Sequence, residues 1–136
     1  MAPKQKADPQ VVEALSAHTA FDRSLVKQLA TVGTAVNIPE GWSIIMETTP
    51  ADSAYIVLEG TVEIRKSGAV IADLGPGDVF GEIALVNHSL RNASVVASSP
   101  IRALRLGEDA IAALLEQDNS FADTLRSHAE SRLADS

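Results

Sequence analysis

With 136 residues, of which 46% are apolar and 21% charged, the chain has the length and composition of one ordinary globular domain with a real core. It has no cysteine, which excludes disulfides, thiolate metal sites and cysteine nucleophiles. A net charge of −7 with eleven scattered basic residues argues against direct nucleic-acid binding, which draws on clustered lysine and arginine.

The first eight residues read as a flexible tail, without the apolar core of a secretory signal. Asp8-Pro9 is a helix start, a carboxylate N-cap followed by proline, and Val11, Val12 and Leu15 continue it as an apolar stripe. A second short helix is expected from Asp22 to Ala30, with Leu25, Val26 and Leu29 on one face. From Val32 the period changes to two: Val32, Thr34, Val36 and Ile38 alternate up to the turn at Pro39-Glu40-Gly41. Trp42–Met46 is a further strand, and Ala54–Leu58 another, with Thr61–Arg65 as its expected hairpin partner across Glu59-Gly60. Ala69–Leu74 follows the Lys66-Ser67-Gly68 turn, and Asn92–Ala97 and Ile101–Leu106 flank Ser98-Ser99-Pro100. The helical period then returns in Asp109–Glu116 and Phe121–Leu133. Many short strands at near-regular spacing predict a barrel or sandwich made of one wound sheet. No apolar run approaches the ~20 residues of a membrane helix, so no membrane is expected and the expected location is cytoplasmic.

The chemistry concentrates between Gly75 and Val96. Gly81-Glu82-Ile83-Ala84 reads as a strand that breaks at glycine into a helical turn, whose first amides lack intrahelical partners and suit an anion. Small residues at Gly81 and Ala84 let a ligand approach the backbone. Arg91 folds back over the same spot if residues 86–90 form a loop, offering a planar fork to two phosphate oxygens. Glu82, an acceptor when ionised, suits a sugar hydroxyl. Taken singly, Glu82 also reads as a solvent-facing acid and Arg91 as a surface arginine; in this order and spacing they describe a nucleotide pocket.

The stretch Phe80-Gly81-Glu82-Ile83-Ala84-Leu85, a short loop, then Arg91-Asn92-Ala93-Ser94-Val95 resembles the phosphate-binding cassette of cyclic nucleotide-binding domains. Asp52–Gly60 resembles that family's Tyr-Ile-Val-Leu-x-Gly segment, and Leu74–Asp78 its turn before the cassette, so the likeness runs over about residues 12–133. It implies a mostly β fold with flanking α: an eight-stranded jelly-roll β-barrel with short N-terminal helices and a C-terminal helix pair. Residues 1–8 would be the tail and 9–136 the domain, with helices over about 9–30, barrel over about 32–107 and helices over about 109–134. By resemblance, Arg91 pairs with the cyclic phosphate alongside the amides of Ala84 and Asn92, Glu82 holds the ribose 2′-hydroxyl with help near Gly81, and Phe80, Ile83, Ala93 and Ser94 complete the nucleotide-binding set. Phe121, Leu125 and Leu133 are candidates to cap the base. The implied ligand is cAMP ahead of cGMP, although Asn92 can donate and accept and leaves the base open. Leu90 departs from the family's usual proline before the arginine.

His18, His88 and His128 lack metal-site spacing, no activated nucleophile is visible, and no cofactor or enzymatic activity is expected. The expected function is a nucleotide-driven conformational change of the C-terminal helices, in a stand-alone sensor or the regulatory domain of a larger protein, with an effector protein or fused effector domain as partner. The alternative is a barrel-only protein interaction module that has lost nucleotide binding. Oligomeric state is not legible.

Overall fold

The computed structural model describes residues 7–82, 90–117 and 121–124. Two aspartates open its first helices: Asp8 accepts the Gln10 amide at 2.9 Å ahead of α1 (Pro9–His18), and Asp22 accepts the Leu25 amide at 2.8 Å ahead of α2 (Arg23–Val32). Val32, expected to begin a strand, is the last residue of α2. Its position satisfies both the helical spacing from Leu25 and Leu29 and the alternation with Thr34, and Gly33 marks the boundary.

Eight strands follow among the described residues: β1 (Thr34–Ile38), β2 (Ser43–Ile45), β3 (Ser53–Glu59), β4 (Val62–Lys66), β5 (Ala69–Leu74), β6 (Val79–Phe80), β7 (Ser94–Ala97) and β8 (Ile101–Gly107). They form two four-stranded antiparallel sheets, ordered β1-β8-β3-β6 and β2-β7-β4-β5. Helix α3 (Glu108–Glu116) leaves β8 directly, and residues 121–124 are helical again. This is the mostly β, jelly-roll architecture with flanking helices expected from the sequence.

The predicted hairpin between Ala54–Leu58 and Thr61–Arg65 does not form. Both edges of β3 are taken, by β8 and by β6, while β4 pairs with β5 and β7 in the other sheet. Glu59-Gly60-Thr61 is therefore a corner at which the chain changes sheets. Gly60 makes the corner at φ +87°, and a Cβ there would lie 2.4 Å from the Pro100 carbonyl oxygen. Ser99 Oγ accepts the Thr61 amide at 3.0 Å, and the Ser98 amide donates to the Thr61 carbonyl at 3.1 Å, tying the corner to the β7–β8 turn.

Alternation along β3 and β8 sorts two apolar layers. Val57, Phe80 and Ala103 face inward and pack with Ile64 and Val95 of the opposite sheet. Ile56, Leu104 and Leu106 face outward and are covered by α1, α2 and α3 through Leu15, Leu29 and Leu114. One sheet thus carries the barrel interior on one face and the helices on the other.

Candidate functional site

The site lies where β6 ends. The stretch Val79-Phe80 pairs with Tyr55 and Ile56, and Gly81 then turns the chain out of the sheet at φ +82°. No side chain fits at that turn: a Cβ on Gly81 would come within 2.8 Å of Ile45 Cδ1 and 3.1 Å of Arg91 Nη1. Glu82 follows in a helical conformation, as the glycine-to-helical-turn reading expected, and its side chain is 0% exposed.

Arg91 enters from the segment that leads into β7. Its main chain is pinned by two hydrogen bonds: its amide donates to the Thr49 carbonyl at 2.9 Å, and its carbonyl accepts the Thr48 amide at 2.8 Å. Thr48 holds φ +70°, unusual for a β-branched residue, directly beside this contact. The guanidinium is 6% exposed; Nη1 donates to the Gly81 carbonyl and Nη2 to the Ser53 carbonyl at 2.7 Å. Neither Glu82 nor Arg91 is a surface charge, which removes the two single-residue alternatives. Burial pushes the Arg91 guanidinium below its ordinary value, and Asp52, Tyr55 and Glu82, in that order, pull it back up. A partly desolvated cation of this kind gains from an arriving anion, which restores charge stabilisation that water no longer supplies.

Of the expected site residues, Phe80, Gly81, Glu82 and Arg91 are brought together here. Phe80 is buried in the barrel interior and stacks on Tyr55, with ring centroids 5.0 Å apart and planes 11° from parallel. Asn92 is exposed beside Arg91, and Ala93 packs against the interior cluster. Ser94 lies in β7, where its hydroxyl accepts the Glu47 amide at 3.0 Å, a contact that fixes the loop before Thr48. Phe121 is fully buried and packs edge-on against Phe21 at 5.7 Å, in the helix layer on the outer face of the sheet. A base-capping Phe121 has to leave this packing. Ile83, Ala84, Leu125 and Leu133 lie outside the described residues, as do His88 and His128.

Four residues at the site were not among the site residues expected from the sequence: Asp52, Ser53 and Tyr55, which entered only as part of the Asp52–Gly60 resemblance, and Arg105. Ser53 is 1% exposed, gives its carbonyl to Arg91 and donates its hydroxyl to Asp52 at 2.9 Å. The Asp52 carbonyl accepts the amide of Glu108, the first residue of α3, at 3.1 Å. For Arg105 a signal was present, because it shares inward parity with Ile101 and Ala103, an arginine on the apolar side of an alternating strand.

An antiparallel barrel with a buried acid and a buried arginine converging at a glycine turn is the frame into which the comparisons fall. The family model of the cyclic nucleotide-binding domain matches residues 35–118, and the chain belongs to that family. The cAMP-dependent protein kinase regulatory subunit of Yarrowia lipolytica is 37% identical over 90 residues, covering 65% of this chain and 24% of that protein. Glutaminase 2 of Bradyrhizobium diazoefficiens is 32% identical over 114 residues, covering 83% of this chain and 16% of that protein. The chain thus spans a quarter or less of the length of these two relatives. The solved structure of Sp-2Cl-cAMPS bound to PKAR CBD2 superposes with a TM-score of 0.75 at 24% identity, over 90% of this chain and 80% of that one, and shows the shared fold. Among the described residues, no helix is long and apolar enough to cross a membrane, and no three histidine, aspartate or glutamate side chains gather as a metal site would require.

Proposed function

We propose that residues 9–136 form one regulatory domain that binds a cyclic nucleotide, cAMP ahead of cGMP, and passes binding on as a movement of its C-terminal helices. The observation that carries this reading is the buried pair: Arg91 within hydrogen-bonding distance of the Gly81 carbonyl, and Glu82 sealed from solvent one residue further on. A guanidinium has five N–H donors, and the two main-chain carbonyls take one from each terminal nitrogen. The remaining donors suit the two exocyclic oxygens of a cyclic phosphate, and the carboxylate of Glu82 suits the ribose 2′-hydroxyl. The amides of Ala84 and Asn92 would add donors to the phosphate, with Ile83, Ala93 and Ser94 completing the nucleotide-binding set.

Preference for cAMP draws support from the relatives named as cAMP-dependent kinase regulatory subunits. Asn92 is exposed next to Arg91 and is the residue on which discrimination between the two bases would turn. Relay to the helices has a physical route: Ser53 holds Arg91, and its neighbour Asp52 holds the first amide of α3. Leu125, Leu133 or a released Phe121 would then close on the base. The chain performs no chemical step on the nucleotide; its output is contact with an effector protein or a fused effector domain, in the cytoplasm.

Titration calorimetry with cAMP and with cGMP tests the reading. Binding to the wild type is expected, and Arg91→Ala is expected to weaken it by about 2–5 kcal/mol, the usual penalty for removing one partner of a desolvated charge pair. Absence of heat with both nucleotides would point instead to an interaction module that keeps the barrel without its ligand.

A further inference from the structure

Arg105 is the second arginine at this site, and cross-strand register places it there. It stands opposite Tyr55 on β3 and Thr34 on β1, and Tyr55 in turn stands opposite Phe80 on β6. Directly paired residues of antiparallel strands share a face, so Arg105 lies on the barrel-interior side with Tyr55 and Phe80. Its neighbours Leu104 and Leu106 go outward to the helix layer. From the inner side, Arg105 Nη2 lies 3.7 Å from Asp52 Oδ2.

Asp52 therefore sits between two arginines. Its carboxylate pairs with Arg105, and the carbonyl of the next residue, Ser53, accepts from Arg91. The Asp52–Arg105 pair is well solvated, with side-chain exposures of 78% and 42%. An ion pair that open contributes little to folding, so stability does not account for a cation at an inward position. Among the described residues, four charged side chains interact at this mouth: Arg91, Arg105, Asp52 and Glu82. Two formal positive charges balance two negative ones. Without Arg105 these four positions would sum to a net negative charge before any anionic ligand arrived.

Building on the nucleotide-binding reading above, we infer that Arg105 is a charge-balancing residue of the pocket, which occupies Asp52 and so leaves Arg91 effective toward the ligand's phosphate. Arg105 does this through Asp52 and through the field at the mouth, without touching the phosphate itself. It deepens the reading by naming a residue that sets affinity for an anionic ligand from outside the cassette.

Calorimetric or fluorescence titration of the full chain with cAMP, at low salt and at about 0.5 M salt, tests this. At low salt Arg105→Gln is expected to weaken binding about three- to ten-fold, the effect of one unit charge in a partly solvated mouth, with the deficit shrinking as salt screens it. Arg105→Lys keeps the charge and is expected to bind within about two-fold of wild type. Asp52→Asn in the Arg105→Gln background removes the opposing charge and is expected to restore affinity, while thermal melting of all three variants stays near wild type. Equal affinity of Arg105→Gln and wild type at low salt would overturn the inference, and so would a double variant no tighter than Arg105→Gln. If the wild type binds cAMP and Arg91→Ala does not, either of those two outcomes sinks the role of Arg105 alone. A wild type that binds neither cAMP nor cGMP sinks the underlying reading, and the inference with it.

Discussion

A guanidinium held against two main-chain carbonyls and shielded from water is a costly arrangement for a folded chain to keep without use. That cost separates Arg91 from an ordinary surface arginine, whose removal would change little. Lysine cannot replace it, because a compact ammonium reaches one carbonyl or one phosphate oxygen where the fork reaches two; Arg91→Lys is expected to lose at least about 1 kcal/mol of binding free energy by calorimetry. Glu82 is tested through the ligand. If its carboxylate takes the ribose 2′-hydroxyl, 2′-deoxy-cAMP should bind the wild type about 1.5–3 kcal/mol more weakly than cAMP, the range for a hydrogen bond to a charged group. Glu82→Gln should then bind the two nucleotides almost equally, and a full 2′-hydroxyl preference surviving in that variant would move the sugar contact elsewhere. Gly81 is the turn between the two proposed contacts. A methyl group there meets Ile45 Cδ1 and Arg91 Nη1 at a backbone angle that L-residues avoid, so Gly81→Ala should lower both the melting temperature and nucleotide affinity.

Among the elements, the corner between β3 and β4 separates local pattern from tertiary pairing. Two strand-like runs around Glu59-Gly60 read as a hairpin because nothing in the local sequence reports that β8 and β6 already occupy both edges of β3. The same corner predicts that Gly60→Ala costs about 1–3 kcal/mol in chemical denaturation, since its Cβ would run into the Pro100 carbonyl at a positive φ. Nucleotide affinity of the folded fraction should be unchanged, because the corner stands at the far end of β3 from Ser53. The start of α1 was legible for the opposite reason: an N-cap is a contact within three residues, and the structure adds a second such cap at Asp22. Asp22→Ala, which removes the acceptor for the Leu25 amide, should cost about 1 kcal/mol.

For the whole molecule, the division of one sheet between two layers is what makes a relay physically possible. Strands β3 and β8 present Tyr55 and Arg105 to the barrel mouth and Ile56, Leu104 and Leu106 to the helices. In the proposed relay, close packing on both faces would carry a shift of β3 toward a ligand to α3, whose first amide is bonded to Asp52. A ligand moves the helices only through a difference in affinity for their two arrangements, so the relay is measurable as a change in helix protection. Amide exchange of residues 108–117 should differ between the free protein and protein saturated with cAMP. Equal protection in the two states would leave a binding domain without the proposed output.

From its residues alone the chain determined what depends on local spacing: the aspartate-capped start of the first helix, the short alternating strands, and a cassette in which Glu82 and Arg91 stand at a fixed distance along the chain. Those signals need only neighbours within a few residues: the strand spacing gives a barrel or sandwich, and the resemblance of the cassette to cyclic nucleotide-binding domains implies the jelly roll. Only the tertiary structure decided which strands share a sheet, that Glu82 and Arg91 are buried, and that Phe121 packs among the helices. The site beyond the cassette also had to wait for it. Asp52 and Ser53 precede Arg91 by some forty positions, Arg105 follows it on another strand, and only the register of β3 against β8 sets them around one arginine.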